Sequence, residues 1–166
     1  AELIDPQERL LLEVTWEMFE RAGYTRQRLH ETSGRKVGVF VGALWQPYER
    51  AGVEATLSGN PVGPSSLLYS VANRISYFFD FSGPSLSIDT ACSASGVALH
   101  TACEALRSGA CGVAIAGGVN LILHPYQYVQ YSQMTMLSRD ERCRAFGSDA
   151  QGFVMGEGVG AVLLKP

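Results

Sequence analysis

Residues 83–100, with the sequence GPSLSIDTACSASGVALH, hold the strongest indication of the fold. Residues 85–88 predict a short apolar strand, and residues 93–108 have the spacing of a helix. Cys92 lies in the tight turn of small residues between the two. At such a junction, unpaired backbone N–H groups and the positive end of the helix dipole favour the thiolate form of a cysteine. The pattern therefore predicts that Cys92 is a nucleophile that carries an acyl group, with its own backbone N–H as the oxyanion donor.

Local context alone leaves a second interpretation of Cys92 open, because a cysteine often serves as a small apolar packing residue. A nucleophilic cysteine normally needs a histidine within hydrogen-bond reach. His100 lies about 12 Å further along the same predicted helix, by helical rise alone. His30 falls in a polar connection, and His124 can approach only if the fold brings it there. The sequence thus contains a candidate nucleophile without a convincing base.

The composition argues against several classes of function. The chain has 166 residues, which fits one domain with a real core. Its net charge is −3 and 46% of its residues are hydrophobic, which indicates neither a polybasic nucleic-acid surface nor a disordered acidic chain. No apolar run approaches the roughly 18 residues of a membrane span. We therefore expect no nucleic-acid or membrane partner and a cytoplasmic location.

The cysteines and histidines show no metal-binding pattern. The four cysteines, at positions 92, 103, 111 and 143, form no Cys-x-x-Cys pair, and the three histidines lack ligand spacing. We expect free thiols and no bound metal.

Outside the opening stretch, helical patterns alternate with short apolar runs typical of buried strands. Helices are predicted over residues 6–22 and 65–77, and strands over residues 37–42, 113–118 and 159–164. This alternation predicts an α/β layered fold with helices on both sides of a sheet.

Two segments show no regular pattern, and one helix has a clear start. Residues 25–36 are polar and are predicted to be a connection, while residues 43–66 mix Gly, Pro and polar side chains and are predicted to be irregular. Asp5 is the predicted N-cap of the first helix. Pro6 follows it, and Glu8 stands where a capping box requires a carboxylate.

Residues 126–136 are rich in aromatic residues and methionine, and they have two possible roles. Tyr131, Met134 and Met136, with the two neighbouring tyrosines, could line an acyl tunnel or fill the core. We assign Met134 and Met136 to a substrate tunnel, together with Ala91 beside the candidate nucleophile. Residues 156–158, GEG, lack the spacing of a nucleotide-binding loop and are predicted to be a turn.

Several motifs in the same order resemble the β-ketoacyl synthases, and specifically the ketosynthase domains of modular type I polyketide synthases. The motifs are residues 5–10 (DPQERL), 39–42 (VFVG), 72–77 (ANRISY), 89–95 (DTACSAS), 116–120 (AGGVN) and 156–158 (GEG). Two further motifs, residues 124–128 (HPYQY) and 143–147 (CRAFG), look more like ketosynthases served by separate acyltransferases. The chain departs from the family's common pattern at Ala94, Gly96 and Gln151.

The resemblance implies a thiolase-like layered fold of the α/β/α/β/α type, usually dimeric, with Cys92 as the nucleophile. It also implies that residues 1–166 are the N-terminal, nucleophile-bearing part of the domain, with the C-terminal portion and its two histidines outside the chain. The sheet here would be mixed and flanked by helices, and the isolated segment is expected to be inactive.

The resemblance further implies the reaction and its partners. Cys92 would take an acyl chain from phosphopantetheine on an acyl carrier protein, and a malonyl-type extender would then condense with it by decarboxylation. The domain itself would bind no cofactor, and the whole enzyme would be a homodimer. The alternatives are a fatty-acid β-ketoacyl synthase, another thiolase-like condensing enzyme, or a non-catalytic structural half-domain.

Overall fold

Four apolar segments pair into a single sheet in the computed structural model, which describes residues 3–166. Numbered along the chain, the strands are β1 (Val37–Gly42), β2 (Ser85–Ile88), β3 (Val113–Asn120) and β4 (Gly158–Leu164). Their order across the sheet is β2-β1-β3-β4. Strand β1 is parallel to both β2 and β3, whereas β4 is antiparallel to β3. The predicted mixed sheet is confirmed.

Six α-helices lie within residues 3–166. They are α1 (Pro6–Arg21), α2 (Arg26–Ser33), α3 (Pro47–Leu57), α4 (Leu68–Phe79), α5 (Ala94–Arg107) and α6 (Tyr126–Gln133), with a 3₁₀ turn at Ala91–Ser93. No helix in the described part of the chain is both long and apolar enough to cross a membrane.

Alternating side chains of β1 divide the core into two layers. Val37, Val39 and Val41 pack with buried residues of α1 and α4 on one face. Phe40, which points the other way, packs with the alanines of α5. Because every residue of β1 is buried, both faces contribute, at about 1.5–3 kcal/mol for each fully buried aliphatic side chain. The predicted arrangement of helices on both sides of the sheet is therefore confirmed.

The start of α1 agrees with the prediction in one respect and differs in another. The Asp5 carboxylate accepts a hydrogen bond from the Gln7 backbone N–H at 2.8 Å, so Asp5 is the N-cap. The predicted capping box is wrong, because the Glu8 carboxylate instead accepts a hydrogen bond from Arg74 Nε of α4 at 3.0 Å. An ion pair with another helix thus replaces a local cap.

Two helices were missed in the segments predicted to be irregular. Helix α2 lies within residues 25–36, where Thr25 caps it and Leu29 is its single buried residue, so the sequence shows almost no hydrophobic period. Helix α3 lies within residues 43–66 and begins at Pro47. A β-carbon on Gly52 of α3 would lie 2.3 Å from Pro64 Cδ, which shows that this helix is held by close packing against its own following loop.

The second predicted helix is displaced along the chain. It begins at Leu68 and ends at Phe79 rather than spanning residues 65–77, so Phe78 and Phe79 belong to α4. Asp80 ends the helix in the left-handed conformation, with φ of 60°.

We predict that Arg74→Ala destabilises the fold more than Arg74→Lys. The Glu8 side chain is fully buried, and one of its oxygens has no hydrogen-bond partner within residues 3–166, so removing the guanidinium leaves a buried, uncompensated carboxylate. We expect a loss of about 3 kcal/mol in the free energy of unfolding for Arg74→Ala. Urea denaturation of the protein that contains this chain measures it. The double change Glu8→Gln with Arg74→Ala should recover part of the loss, and no recovery would contradict the ion-pair explanation.

Candidate functional site

The turn that carries Cys92 is held in a conformation unusual for a residue other than glycine. After β2, the Asp89 carboxylate accepts a hydrogen bond from the Ala91 backbone N–H at 3.0 Å. Ala91 itself has φ of 53°, in the left-handed region, which costs an L-residue about 1–2 kcal/mol. The chain then passes through Cys92 into α5, so the predicted strand, turn and helix are all present. Strained residues of this kind concentrate at functional sites.

Two glycines allow the first turn of α5 to lie directly against the ends of the central strands. A β-carbon on Gly42, the last residue of β1, would lie 2.4 Å from the Ser95 backbone nitrogen. One on Gly118 of β3 would lie 2.9 Å from the Ser95 β-carbon. Since real β-carbons do not approach other atoms so closely, only glycine at position 42 permits this packing without a backbone shift. The beginning of α5, and with it Cys92, is placed at the carboxyl edge of the parallel strands.

Cys92 is exposed and borders a cavity of about 560 Å³. The cavity lies between the loop after β1, the first turn of α5, the end of β3 and the irregular segment before β4. Ala91 lines it beside Cys92, and Tyr131 reaches it from α6. Most of the remaining lining residues are glycine, alanine or valine, so the space around the thiol is largely apolar. This arrangement leaves room for an acyl group next to the sulfur.

A buried glutamine ties together the two loops that border the cavity. Gln7, which is 1% exposed, donates from Nε2 to the Trp45 carbonyl oxygen at 2.7 Å. Its Oε1 accepts a hydrogen bond from the Leu121 backbone N–H at 3.2 Å. The loop after β1 and the segment after β3 are therefore fixed to the start of α1.

Polar side chains hold the segment before β4 in place. Asn120 donates from Nδ2 to the Gly156 carbonyl oxygen at 2.8 Å. Glu157 accepts a hydrogen bond from the Ile122 backbone N–H at 2.6 Å. Gly156 and Glu157 lie in the irregular segment before β4 and Gly158 begins that strand, so residues 156–158 do not form the predicted turn. The three residues line one side of the cavity.

Three aromatic residues from distant parts of the sequence pack together, and two of them, Trp45 and Tyr131, line the cavity. Trp45 donates from Nε1 to the Tyr131 hydroxyl oxygen at 3.1 Å, and the two ring centroids lie 5.9 Å apart. The Phe153 ring packs edge to face against Tyr131 with a centroid separation of 5.5 Å. Tyr131 was one of several residues with two possible roles in the sequence, and the structure places it at the cavity.

The structure separates the other residues predicted for the tunnel. Ala91 lies at the cavity, whereas Met134 and Met136 follow the end of α6 and are 62% and 38% exposed. The assignment of Met134 and Met136 to a substrate tunnel stays a prediction, as does the catalytic role of Cys92.

Each histidine lies away from the lining of this cavity within residues 3–166. His30 contacts the Phe79 carbonyl oxygen through Nε2 at 2.9 Å. His124 contacts Glu54 through Nε2 at 2.9 Å, and its Nδ1 accepts the Tyr126 backbone N–H at 3.1 Å. His100 lies exposed on α5. The sequence left His124 open as a partner for Cys92 if the fold brought it near, and the structure places it beside Glu54 and outside the cavity lining.

The remaining cysteines differ from Cys92 in their surroundings. Cys111 is 2% exposed, and burial raises the pKa of its thiol, partly opposed by a hydrogen bond from the Gly38 backbone. Cys103 is partly buried and Cys143 is exposed. Over residues 3–166, no three His, Cys, Asp or Glu side chains are grouped as metal ligands would be.

The fold and the site together define a thiolase-like α/β domain with an exposed cysteine on the turn between β2 and α5. The chain belongs to the β-ketoacyl synthase family, because residues 1–166 match the family described as Beta-ketoacyl synthase, N-terminal domain.

Similar proteins are polyketide synthases. The chain is 52% identical over 171 residues to polyketide synthase PksL of Bacillus subtilis, covering 100% of this chain and 4% of that protein. It is 48% identical over 169 residues to the reducing polyketide synthase ppsB of Aspergillus oryzae, covering 99% of this chain and 7% of that protein. The chain therefore spans a small fraction of the curated relatives that it matches.

Solved ketosynthase structures have the same fold. The oxazolomycin ketosynthase domain OzmH KS7 of Streptomyces albus JA3453 superposes with a TM-score of 0.92 at 51% identity, covering 98% of this chain and 29% of that one. The ketosynthase from module 6 of the bacillaene synthase of Bacillus subtilis 168 gives 0.85 at 41% identity, covering 99% of this chain and 27% of that one. The predicted resemblance to polyketide ketosynthases, including the thiolase-like fold, is confirmed.

We predict that Ala91→Val is more destabilising than Ala91→Gly. Glycine adopts φ of 53° without steric cost, whereas a β-branched side chain is strongly disfavoured there. We expect Ala91→Gly to change the free energy of unfolding by less than about 1 kcal/mol and Ala91→Val to lower it by about 2 kcal/mol. Ala110→Val, at an exposed alanine outside the left-handed region, is the matched control. Equal denaturation midpoints for all three variants would show that the turn is not strained.

Proposed function

We propose that this chain supplies the acyl-cysteine half of a β-ketoacyl synthase site in an assembly-line polyketide synthase. The observation that carries the proposal is the exposed Cys92 at the strained turn into α5, beside a largely apolar cavity. A polyketide rather than a fatty-acid enzyme is favoured because similar relatives, at 52% and 49% identity, are polyketide synthases.

In the first step, the Cys92 thiolate attacks the carbonyl carbon of an acyl thioester carried on phosphopantetheine. The negative charge that develops on the carbonyl oxygen is stabilised by the Cys92 backbone N–H at the start of α5. The bond from the acyl carbon to the carrier sulfur then breaks, and the carrier thiol takes a proton. The acyl chain remains on Cys92 as a thioester, so this step needs no cofactor bound by the domain.

In the second step, a malonyl-type extender on a carrier protein loses carbon dioxide, and its carbanion attacks the acyl-Cys92 carbonyl. A carbon–carbon bond forms, the bond to the Cys92 sulfur breaks, and a β-ketoacyl chain leaves on the carrier. The resemblance implies two histidines for this step, and the chain spans only 29% of the similar ketosynthase structure. We propose that residues outside 1–166 supply them and that the isolated segment does not turn over.

The partners and the compartment follow from this assignment. Acyl carrier protein domains would deliver both substrates, and acyltransferases separate from the assembly line are supported by residues 124–128 and 143–147. We propose the cytoplasm as the compartment, because all four cysteines are free thiols, as in a reducing environment.

We also propose that the full enzyme is a homodimer that pairs along β2. Strand β2 is at one end of the sheet, so one of its edges is unpaired within residues 3–166. Such an edge readily pairs with another chain. Leu86 on β2 is 46% exposed, and Tyr69 and Tyr77 on the adjoining α4 are 63% and 86% exposed. A second copy would satisfy the edge and cover these side chains together.

The role of Cys92 is tested by loading the full-length ketosynthase with an acyl carrier protein thioester and measuring the intact mass. We expect the wild-type enzyme to gain the mass of the acyl group and Cys92→Ala to gain none, since the thioester has no sulfur to form on. Cys143→Ala removes another exposed thiol and should load normally. Unchanged loading of Cys92→Ala would overturn the proposed function.

The dimer proposal is tested by Leu86→Lys in the same enzyme. A charged side chain on the unpaired edge would have to be buried on association, so we expect a shift toward the monomer in light scattering. Leu57→Lys places the same change at an 83% exposed leucine on α3 and should leave the oligomeric state unchanged. A Leu86→Lys protein as dimeric as the wild type would contradict pairing along β2.

A further inference from the structure

Trp45 determines whether the Tyr131 hydroxyl group donates or accepts in the hydrogen bond between them. The indole Nε1–H of Trp45 can only donate, so at 3.1 Å the Tyr131 oxygen must act as acceptor. The hydroxyl proton of Tyr131 is consequently directed to another acceptor. Within residues 3–166 the structure contains no acceptor for that proton, although Tyr131 borders the cavity that holds Cys92.

The Tyr131 ring is held so that its hydroxyl cannot easily turn away. Trp45 and Phe153 both pack edge to face against it, with interplanar angles of 80° in each case. The Trp45 main chain is in turn anchored by the buried Gln7, through the hydrogen bond to its carbonyl oxygen. A donor held in this way needs little further ordering when a ligand binds.

Two other polar side chains of the cavity, Asn120 and Glu157, are already engaged, and Ser95 is a further polar residue of its lining. The Asn120 amide nitrogen donates to Gly156, and the Glu157 carboxylate accepts from Ile122. Tyr131 therefore presents an available hydrogen-bond donor in a cavity otherwise lined largely by glycine and aliphatic side chains.

We propose that Tyr131 is a specificity-determining residue whose hydroxyl donates a hydrogen bond to an oxygen atom of the acyl chain carried on Cys92. The ligand class is an acyl chain that bears a hydroxyl or keto oxygen, in preference to an alkyl chain of the same length. This inference rests on the proposed function, because it requires that the cavity holds the acyl group of the Cys92 thioester.

The size of the expected preference follows from the exposure of the site. A hydrogen bond of this kind changes relative binding by a factor of about three to ten when the donor keeps some access to water. Larger factors are typical of donors that are fully buried and left unpaired by the wrong ligand. Tyr131 is only partly buried, so we expect a three- to tenfold preference.

The test compares loading rates on the full-length ketosynthase by intact mass. The probes are octanoyl pantetheine and a series of its derivatives, each with a single hydroxyl group at a different carbon of the chain. In the wild-type enzyme we expect at least one hydroxylated chain to load about three- to tenfold faster than octanoyl. Tyr131→Phe should remove this preference, because it keeps the ring but loses the donor.

The matched control is Tyr128→Phe, which removes the same hydroxyl group from a 47% exposed tyrosine on the same helix and should keep the preference. A purely structural role for Tyr131 would slow all chains equally and leave their ratio unchanged. Equal loading of every chain by the wild type, or a preference that persists in Tyr131→Phe, would overturn the proposal.

Trp45→Phe gives an independent measurement if Tyr131→Phe does not fold. It leaves the Tyr131 hydroxyl in place but removes the donor that orients it, so the preference should fall; an unchanged ratio would contradict the proposal. Failure of the proposed function has a different signature, since no chain would then load on Cys92. Failure of the specificity proposal alone leaves loading intact without discrimination.

Discussion

The contact between the first turn of α5 and the ends of β1 and β3 determines where Cys92 lies. It exists because Gly42 lacks a β-carbon, which would otherwise lie 2.4 Å from the Ser95 nitrogen. The chain must also turn sharply after β2 so that α5 begins beside the ends of β1 and β3, and the left-handed Ala91 provides that turn. A larger residue at position 42 would push the helix away from the strand, and Cys92 would move with it. The position of Cys92 is therefore a consequence of main-chain packing rather than of its own side-chain contacts.

Polar contacts between residues far apart in the sequence hold the loops and helices around this contact in place. Gln7 and Glu8 follow the N-cap of α1, and both side chains reach other elements: Gln7 joins the loops after β1 and β3, and Glu8 pairs with Arg74 of α4. Buried polar groups are stabilising only when they are paired, so these residues also restrict the chain to one arrangement of loops. The start of α1 thus acts as a common anchor for the two sides of the cavity.

The sequence predicted most accurately those features that depend on neighbours in the chain. The strands at residues 37–42 and 85–88, and the turn and helix around Cys92, were predictable because apolar runs, small residues and helical spacing act locally. Helices α2 and α3 were not, because α2 buries only Leu29 and α3 depends on Gly52 packing against Pro64. The capping box failed for the same reason, since a partner 66 positions away outweighed the local one.

The same distinction separates the turn that carries Cys92 from the aromatic group beside it. Residues 89–95 form this turn as one continuous segment, whereas the aromatic group combines Trp45, Tyr131 and Phe153 from three distant segments. Gln7 holds the loop after β1 through the main-chain oxygen of residue 45, so the loop position does not depend on which side chain stands there. Substitution at position 45 or 131 can consequently change the hydrogen bonding offered to the cavity while the turn that carries Cys92 stays in place. One fold can in this way keep a constant turn at Cys92 and vary the side chains that face the cavity beside it.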